Sequence, residues 1–413
     1  MRDGKRHVVR ALGQKRPTAA GPACQCSETL AASRQIVIRN AVNASGALAE
    51  AGANFVNAMK TPALAIKSVR NFKNAVTINI NRARGREFIP KGVPTLSIET
   101  SSLCNLECRF CAYVKKSSAK VTMKDEFFRS CVGQAIDMGY RHFDLTPCTG
   151  DVFMDRGIFR KLEHLESMPA VESYGFHTNF TILRARDIKR LFDLRKLSGF
   201  AISIYGHDAK TFVDITQSTE KVYRRLVYSL ETLLAEIGRR KIPVDFFTVH
   251  PGVASLRGRD SEITRLLDRA RTAGITVKVQ KGVYNNWGGF VTDEDVRGLP
   301  IEIAGPNLFF KNGACVRLFT TVQIMATGIV NGCACRDANA TLRLGDLNET
   351  PLRDLISSRN PRYMALIEQQ QKGDFPAVCQ SCDMYASIYH ESSGHRKNGV
   401  ELDSLEAFKQ RIR

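Results

Sequence analysis

Short apolar runs alternate with helical patterns from about residue 93 to residue 290 of the chain. A short apolar run bounded by turn residues is typical of a strand, and apolar residues three or four apart are typical of a helix. The pattern predicts six strands with helices between them. These strands are predicted at residues 95–100, 142–147, 173–179, 199–206, 244–250 and 275–282.

Alternating strands and helices indicate an α/β fold with a parallel sheet. Six strands over roughly 190 residues fit a partial (β/α)6 TIM-like barrel better than a closed eight-stranded barrel. In such folds the chemistry takes place at the carboxyl ends of the strands. The loops that follow the strands are therefore the places where a site is expected.

The pattern changes after about residue 296. Residues 315–337 predict two strands with a turn at Ala326–Gly328, and short helices are predicted near 351–359 and 361–373. We therefore predict a second, small, cysteine-rich α+β domain. The predicted divisions are an N-terminal extension over 1–92, a barrel over 93–295, the small domain over 296–392 and a C-terminal tail over 393–413.

The N-terminal extension is strongly basic. Residues 1–95 carry sixteen Lys or Arg and four Asp or Glu, so they supply +12 of the net charge of +19. Their start has no sustained period, which predicts disorder, whereas 44–60 and 64–72 have helical spacing and are expected to pack on the main domain. An anionic membrane surface is one partner that this charge predicts, and a poorly ordered soluble tail is the alternative.

The composition is that of a globular protein, with 43% hydrophobic and 24% charged residues in a chain of 413. No apolar run reaches the length of a transmembrane helix, and no secretory signal is visible, so a cytoplasmic location is expected, with peripheral membrane attachment as an option. Twelve cysteines in such a chain favour reduced thiols, metal ligation or redox chemistry over a disulfide framework.

Three of these cysteines lie in one short segment directly after the first predicted strand. Cys104, Cys108 and Cys111 have the spacing C-x3-C-x2-C. Three thiolates on one loop can ligate three irons of a four-iron cluster and leave the fourth iron open to a substrate or cofactor. A zinc knuckle or a chance cluster is the alternative, although zinc sites usually pair two C-x2-C units or add histidine.

The segment CNLECRFC, residues 104–111, resembles the signature of the radical SAM superfamily. The resemblance implies that S-adenosylmethionine (SAM) chelates the open iron of a [4Fe–4S] cluster through its amino and carboxylate groups. Reductive cleavage would then give a 5′-deoxyadenosyl radical that abstracts hydrogen from a substrate. It also implies a low-potential reductant such as flavodoxin or ferredoxin. Phe110 matches the family's apolar residue before the third cysteine.

The resemblance also implies residues that bind SAM. After the second strand the family has a Gly-Gly-Glu-like turn, where this chain has Thr149-Gly150-Asp151. The carboxylate of Asp151 can still accept bonds from an ammonium group, although a plain turn or a helix N-cap would explain the same residues. Asn179 and Ser203 follow the third and end the fourth strand, where the family contacts SAM, and Ser203 is equally well explained as an ordinary strand hydroxyl.

No catalytic residue is assigned from the sequence. Cys148, Tyr205 and His250 could face the substrate or relay a hydrogen atom, but a structural role is favoured for each. The stretch VYNNWGG, residues 283–289, contains the single tryptophan and is expected either to line the substrate pocket or to be an exposed turn.

A second group of cysteines lies in the small domain, at Cys315, Cys333, Cys335, Cys379 and Cys382. Residues 315–385 resemble the SPASM-type domain of many radical SAM enzymes, which implies an auxiliary [4Fe–4S] cluster. Four thiols close such a site, so one of Cys333 and Cys335 is spare, and the alignment on TGIVNGC favours Cys333. Zinc in a four-cysteine site is the alternative.

The sequence therefore predicts a radical SAM enzyme with one SAM-binding and one auxiliary cluster. A non-catalytic iron–sulfur electron carrier is the competing class, and nucleic-acid modification is disfavoured because only the basic extension supports it. A carbohydrate-type or other small-molecule substrate is favoured. A peptide- or protein-modifying maturase is the alternative, and it is weakened because residues 30–92 look mainly helical, unlike a leader-binding module of strands and helices.

Overall fold

The computed structural model describes residues 62–91, 95–237, 244–305, 310–391 and 400–413. The predicted disordered start and the predicted helix over 44–60 lie outside these residues. The described helices are α1 Pro62–Ala83, α2 Asp125–Asp137, α3 Ile158–Ser167, α4 Ala185–Leu191, α5 Ala209–Thr216, α6 Glu220–Ile237, α7 Glu262–Thr272, α8 Arg317–Thr320, α9 Leu352–Leu355, α10 Pro361–Lys372, α11 Ala377–Ser381 and α12 Leu405–Arg411.

The described strands have the following bounds: β1 Ile89–Lys91, β2 Thr95–Ile98, β3 His142–Asp144, β4 Ser173–Thr178, β5 Leu197–Tyr205, β6 Val244–His250, β7 Thr276–Val279, β8 Val283–Tyr284, β9 Glu302–Ile303, β10 Gln323–Ile324, β11 Ile329–Asn331, β12 Arg343–Asp346 and β13 Glu401–Asp403. Single turns of 3-10 helix lie at Ala112–Val114, Val152–Met154 and Trp287–Gly289.

The six predicted strands are confirmed as β2 to β7, which lie side by side in chain order and are all parallel. Buried Leu96, Phe143 and Tyr174 stand in register across β2, β3 and β4 and contribute to the core. Five of the six strands end up to three residues earlier than predicted, because the chain turns there into loops. The prediction of an α/β fold built on six parallel strands is confirmed.

The C-terminal hairpin continues the same sheet. β10 lies parallel to β2, and β11 and β12 follow antiparallel. The described residues thus form a sheet of nine strands in the order β12-β11-β10-β2-β3-β4-β5-β6-β7. The predicted turn at Ala326–Gly328 is confirmed between β10 and β11. Because β10 pairs with β2, the small domain and the barrel share one backbone hydrogen-bond network.

The prediction of the first strand within 315–337 was wrong for its first residues. Residues Arg317–Thr320 form the short helix α8 instead, and the strand begins only at Gln323. The amides of Leu318 and Phe319 bond to the carbonyls of Cys315 and Val316. These local bonds satisfy the backbone before the chain reaches its strand partner, which explains the difference.

Both ends of the described chain pack on the small domain. Helix α1 begins at Pro62, a residue suited to the first helical position, and is longer than predicted. Its Asn81 donates to the Tyr389 carbonyl at 2.9 Å and its Arg82 to the Gln371 carbonyl at 2.8 Å, so it packs on the main body as expected. β1 pairs antiparallel with β13. Among the described residues, no helix combines the length and apolarity needed to cross a membrane.

Candidate active site

A cavity of about 550 Å³ opens at the carboxyl ends of the parallel strands. The three thiols of the loop after β2 line it, together with residues that follow or end the next four strands. These residues are Cys104, Cys108 and Cys111 after β2, Cys148, Thr149, Gly150 and Asp151 after β3, Asn179 after β4, Ser203 and Tyr205 in β5, and His250 in β6. The structure thus brings together every residue that the sequence predicted for SAM and its cluster.

Backbone hydrogen bonds hold the cysteine loop in place. The amides of Glu107 and Arg109 donate to the carbonyls of Thr216 and Ile215, at 2.9 and 3.0 Å. Both carbonyls belong to the last turn of α5, where helix carbonyls lack partners within the helix. The end of α5 therefore supports the middle of the loop.

The thiols of this loop lie in a weakly solvated environment. Cys108 is buried and Cys104 and Cys111 are half-buried. Removal from water raises the pKa of all three thiols, that of Cys104 to about 12. Thiolates are the species that ligate iron, and a bound metal supplies the positive charge that offsets this cost. Three convergent, poorly solvated thiols fit an iron–sulfur cluster.

The spacing of the cysteines also bears on zinc. Among the described residues, no three His, Cys, Asp or Glu side chains stand close enough together to hold a single metal ion. The cysteines of a four-iron cluster bind separate iron atoms, so their sulfurs lie further apart than those around one zinc ion. The described thiols are therefore not gathered around the position of one metal ion.

Gly150 brings the second loop directly against the cysteine loop. Its φ is +140°, and a Cβ atom there would lie 2.9 Å from the carbonyl oxygens of both Ser101 and Leu103. The next amide, that of Asp151, donates to the Leu103 carbonyl at 2.7 Å. A side chain at position 150 would therefore push the two loops apart.

Asp151 is a helix N-cap that also joins two loops. The residue is 2% exposed, and its Oδ1 atom accepts the amide N–H of Phe153 in the second 3-10 turn, Val152–Met154. Its Oδ2 atom accepts the amide of Asn179 at 2.6 Å and the hydroxyl of Thr178 at 3.0 Å. Burial raises the pKa of Asp151 to about 6. The N-cap alternative is thus observed, and the carboxylate fixes the start of the loop after β4.

Asn179 reaches back to the cysteine loop. Its Nδ2 atom donates to Asn105 Oδ1 at 3.0 Å and lies 3.8 Å from the sulfur of Cys104. Its Oδ1 atom accepts the amide of Thr181 at 3.0 Å, which fixes the orientation of the amide group. The loops after β2, β3 and β4 therefore form one connected unit.

Aromatic rings form one wall of the cavity. The ring of Phe110 stacks on His250 with centroids 4.9 Å apart and meets the edge of Tyr284 at 5.4 Å. The ring of Tyr205 stacks on His250 from another side, at 5.3 Å. Burial lowers the pKa of His250 to about 4, so its imidazole is neutral near pH 7. Both Tyr205 and His250 face the cavity, as hypothesised from the sequence.

The second group of five cysteines lines a separate, small cavity. The sulfur of Cys333 accepts the amide of Cys335 at 3.4 Å, and the sulfur of Cys382 accepts the amide of Met384 at 3.3 Å. Gln370 donates to the sulfur of Cys379, also at 3.3 Å. Such bonds to sulfur are typical of thiolates that bind metal.

Residues 315–383 match the family model SPASM, described as an iron–sulfur cluster-binding domain. These residues are a SPASM domain. The matched range contains all five cysteines of the second cavity. The predicted auxiliary iron–sulfur domain is therefore confirmed as a domain, and the choice of ligands among the five thiols stays a prediction.

Several solved structures are similar to this chain. BtrN in complex with AdoMet and 2-DOIA is 12% identical over 72% of this chain and 96% of that one, with a TM-score of 0.45. SuiB of Streptococcus suis bound to precursor peptide SuiA is 15% identical, over 78% and 77%, with a TM-score of 0.46. Native anSMEcpe with bound AdoMet and Cp18Cys peptide is 14% identical, over 77% and 96%, with a TM-score of 0.42. No curated protein sequence matches the chain.

The SPASM domain also contributes to the first cavity. Arg336 and Asp383 of the domain, and Met384 directly after it, line this cavity together with residues of the stretch 283–289, among them Trp287. Sequence reasoning identified that stretch but missed these three residues. Their only local signal is that Arg336 directly follows the C-x-C pair and that the other two follow Cys382.

Proposed function

We propose that this SPASM-domain protein is a radical SAM enzyme. In this proposal Cys104, Cys108 and Cys111 hold a [4Fe–4S] cluster at which SAM is reductively cleaved, and a hydrogen atom is then abstracted from a small-molecule substrate. One observation carries the proposal. The three thiols, the Gly150 turn and the loop of Asn179 line a single cavity at the carboxyl ends of parallel strands.

The residues of the cavity have separate tasks in this proposal. When bound, the cluster and SAM supply a 5′-deoxyadenosyl radical. Gly150 allows the second loop to approach the cysteine loop, and Asp151 fixes the backbone of Asn179 beside Cys104. The stacked rings of Phe110 and His250 present an apolar surface, which helps to exclude water and to limit side reactions in the site.

The SPASM domain is proposed to hold a closed auxiliary [4Fe–4S] cluster. Cys315, Cys379, Cys382 and one of Cys333 and Cys335 would supply four thiolates, as a complete site requires. With no open coordination position, this site suits electron exchange rather than SAM binding. A low-potential protein such as flavodoxin or ferredoxin is the proposed external reductant.

A small-molecule substrate of carbohydrate type is favoured over a peptide. The cavity is a concavity of the size that small ligands occupy. Of the described N-terminal residues, α1 packs on the SPASM region and β1 pairs with β13, so this strand is already engaged. The alternative is a peptide-modifying maturase, and identification of a peptide as the substrate would show it.

An anionic membrane surface is proposed as a partner of the basic extension. Three apolar side chains of α1 are exposed on the helix, Val69 at 55%, Phe72 at 43% and Ile80 at 45%. Arg70 and Lys73 lie beside them and are also exposed. This combination suits the interface of an acidic bilayer. Co-sedimentation with acidic vesicles, for the full chain and the variant Val69→Ser, Phe72→Ser, Ile80→Ser, tests it, and equal binding by both would contradict the proposal.

Release of 5′-deoxyadenosine tests the enzyme proposal. The protein is reconstituted anaerobically with iron and sulfide and is mixed with SAM and dithionite. Wild-type protein should release 5′-deoxyadenosine, and the triple variant Cys104→Ala, Cys108→Ala, Cys111→Ala should not. Cys131→Ala is the matched control, because Cys131 is buried in α2 and is not part of the cavity wall. A cluster-loaded wild-type protein that releases no 5′-deoxyadenosine would refute the proposal.

A further inference from the structure

Leaving aside Asp383, which has an interaction of its own, four polar atoms in the wall of the cavity are buried without a hydrogen-bond partner among the described residues. They are Nε of Arg336, Nε1 of Trp287, Oδ1 of Asn285 and Oγ1 of Thr149. Buried polar groups of native proteins nearly always have partners, since an unpaired one costs stability. Two N–H donors, one amide oxygen and one hydroxyl group left over in one cavity therefore indicate a ligand that supplies the complementary groups.

The charge of Arg336 is also uncompensated within the described residues. Its guanidinium group donates from Nη1 to the Cys335 carbonyl at 2.6 Å, and no described carboxylate lies within ion-pair distance of it. Arg336 is the single Lys or Arg in the described wall of the cavity. Burial lowers the pKa of both His177 and His250, so neither adds positive charge near pH 7. An anion entering this cavity would find its fixed positive charge at Arg336.

The guanidinium group lies over the ring of Trp287, with its central carbon 4.8 Å from the ring centroid. Trp287 has a φ of +52°, and Gly288 and Gly289 that follow it have φ of +65° and +95°. A left-handed conformation is unfavourable for a bulky residue and persists only where the surroundings enforce it. Strain of this kind is concentrated at binding sites.

The SPASM domain enforces this conformation. Asn286 donates from Nδ2 to the Ser381 carbonyl at 2.6 Å and to the Ala304 carbonyl at 3.0 Å. A Cβ atom on Gly288 would lie 2.7 Å from the side chain of Val378. Val378 and Ser381 belong to α11, the helix that carries Cys379. The position of the indole ring is therefore set by the SPASM domain, which also supplies Arg336.

We propose that the substrate carries an oxyanion, either a carboxylate or a phosphate, that binds Arg336 and the indole N–H of Trp287. A hydroxyl or amine of the same substrate would donate to Oδ1 of Asn285. The guanidinium group can offer an oxyanion two parallel hydrogen bonds, which fixes both its position and its orientation. The acidic side chains of the wall, Asp151 and Asp383, already have interactions of their own. The inference rests on the proposed function and specifies its substrate class.

A deuterium-transfer assay tests this proposal with a mixture of natural small molecules as the probe. Small molecules are extracted from the source organism grown in deuterium oxide and are separated on an anion exchanger at neutral pH. Each fraction is incubated anaerobically with reconstituted holoenzyme, SAM and reductant. Hydrogen abstraction from a deuterated substrate gives deuterated 5′-deoxyadenosine, which mass spectrometry distinguishes from the unlabelled compound.

The proposal expects labelled 5′-deoxyadenosine from fractions that the exchanger retains. Phosphatase treatment of the active fraction should abolish labelling if the anion is a phosphate ester and leave it unchanged if it is a carboxylate. Labelling from the unretained fraction alone, or from no fraction while unlabelled 5′-deoxyadenosine accumulates, would overturn the proposal. The absence of any 5′-deoxyadenosine, labelled or unlabelled, would instead refute the proposed function.

Variants of Arg336 and Trp287 test whether these two residues bind the substrate. At a limiting amount of the active fraction, Arg336→Gln should lower the labelled product by roughly tenfold or more, because charge-assisted hydrogen bonds are lost. Arg336→Lys should recover part of it, and Trp287→Phe, which keeps a ring but lacks the N–H, should cause a smaller fall. Arg225→Gln, an exposed position on α6, is the control and should match wild type.

A binding measurement separates a substrate contact from a contact with SAM. Trp287 is the single tryptophan of the chain, so its emission reports on this part of the cavity. Titration of wild-type holoenzyme with the active fraction should change that emission in a saturable way, and Arg336→Gln should shift the curve to higher concentration. An unshifted curve would overturn the proposal. Loss of SAM binding in Arg336→Gln would also overturn it, because it would place the arginine on SAM.

Discussion

The Oε1 atom of Glu99 accepts a hydrogen bond of 3.2 Å from the backbone N–H of Ala326, which joins the loop after β2 to the hairpin turn of the SPASM domain. Its Oε2 atom accepts the N–H of Cys148, also at 3.2 Å. The side chain is 1% exposed, and burial raises its pKa while nearby Lys116 acts in the opposite direction. One buried carboxylate therefore links the first loop of the barrel, the loop after β3 and the SPASM domain.

Replacing Glu99 by Gln should destabilise the protein. An amide group has one oxygen, so its NH2 would face one of the two N–H donors, which would lose its partner. The expected loss in the free energy of unfolding is about 1–3 kcal/mol. Anaerobic unfolding in urea, monitored by circular dichroism, measures this loss. Glu231→Gln, at an exposed position of α6, is the control and should change stability by less than about 0.5 kcal/mol. A Glu99→Gln variant as stable as its control would contradict this role.

Replacing Gly150 by Ala should weaken SAM binding by separating the two loops. The added Cβ atom would meet the carbonyl oxygens of Ser101 and Leu103 at 2.9 Å. Gly139→Ala is a matched control, since Gly139 also has a positive φ, of +91°, but a Cβ atom there would meet nothing within 4 Å. Equilibrium dialysis with labelled SAM on reconstituted protein gives the comparison. Both variants should lose some stability, and equal SAM affinities in the two would show that the clash has no effect on the site.

His250 should make stability depend on pH. Its pKa is about 4 in the folded protein and 6.5 when it is exposed, so the unfolded chain binds the proton more strongly. Its contribution is complete above about pH 6.5 and is lost as pH falls toward 4. By linkage the loss at pH 5 is about 2 kcal/mol. Unfolding of wild type and His250→Phe at pH 7.5 and pH 5 measures this difference, and identical pH dependence in the two proteins would contradict it.

The sequence predicted the parts of the fold that depend on local pattern. The six strands of the barrel, the hairpin turn at Ala326–Gly328 and the grouping of the cysteines follow from periodicity and spacing, which are visible in short windows. The early part of the first SPASM strand was wrong because apolar residues such as Leu318 suit a buried helical turn as well as a strand.

Contacts between distant segments could not be predicted in the same way. Glu99 lies near the end of a predicted strand, and only the register of β10 beside β2 brings the amide of Ala326 to its carboxylate. In the sequence Arg336 is simply the residue after a cysteine pair, and only the packing of its own backbone against the 287–289 turn brings it over Trp287. Asp151 was assigned a cofactor role by resemblance, with a helix N-cap as the alternative, and only the approach of the loop after β4 brings the amide of Asn179 to its carboxylate.

Iron content should identify which thiol of the C-x-C pair binds the auxiliary cluster. The sulfur of Cys333 accepts the amide of Cys335, in the same way that the sulfur of Cys382 accepts the amide of Met384. An amide directed at sulfur stabilises a thiolate, so we expect Cys333 to be the ligand.

The measurement uses the background Cys104→Ala, Cys108→Ala, Cys111→Ala, which removes the first cluster. That protein should retain about four irons per chain, and its spectrum should not respond to SAM, because four thiolates close the site. Cys335→Ala in this background should keep the iron, whereas Cys333→Ala should lose it and lower the temperature at which the SPASM domain unfolds. Retention of iron by Cys333→Ala together with its loss from Cys335→Ala would reverse the assignment. Zinc in place of iron in the anaerobically purified background would show that the five thiols serve a structural ion, since a d¹⁰ metal has no redox chemistry to offer the neighbouring cavity.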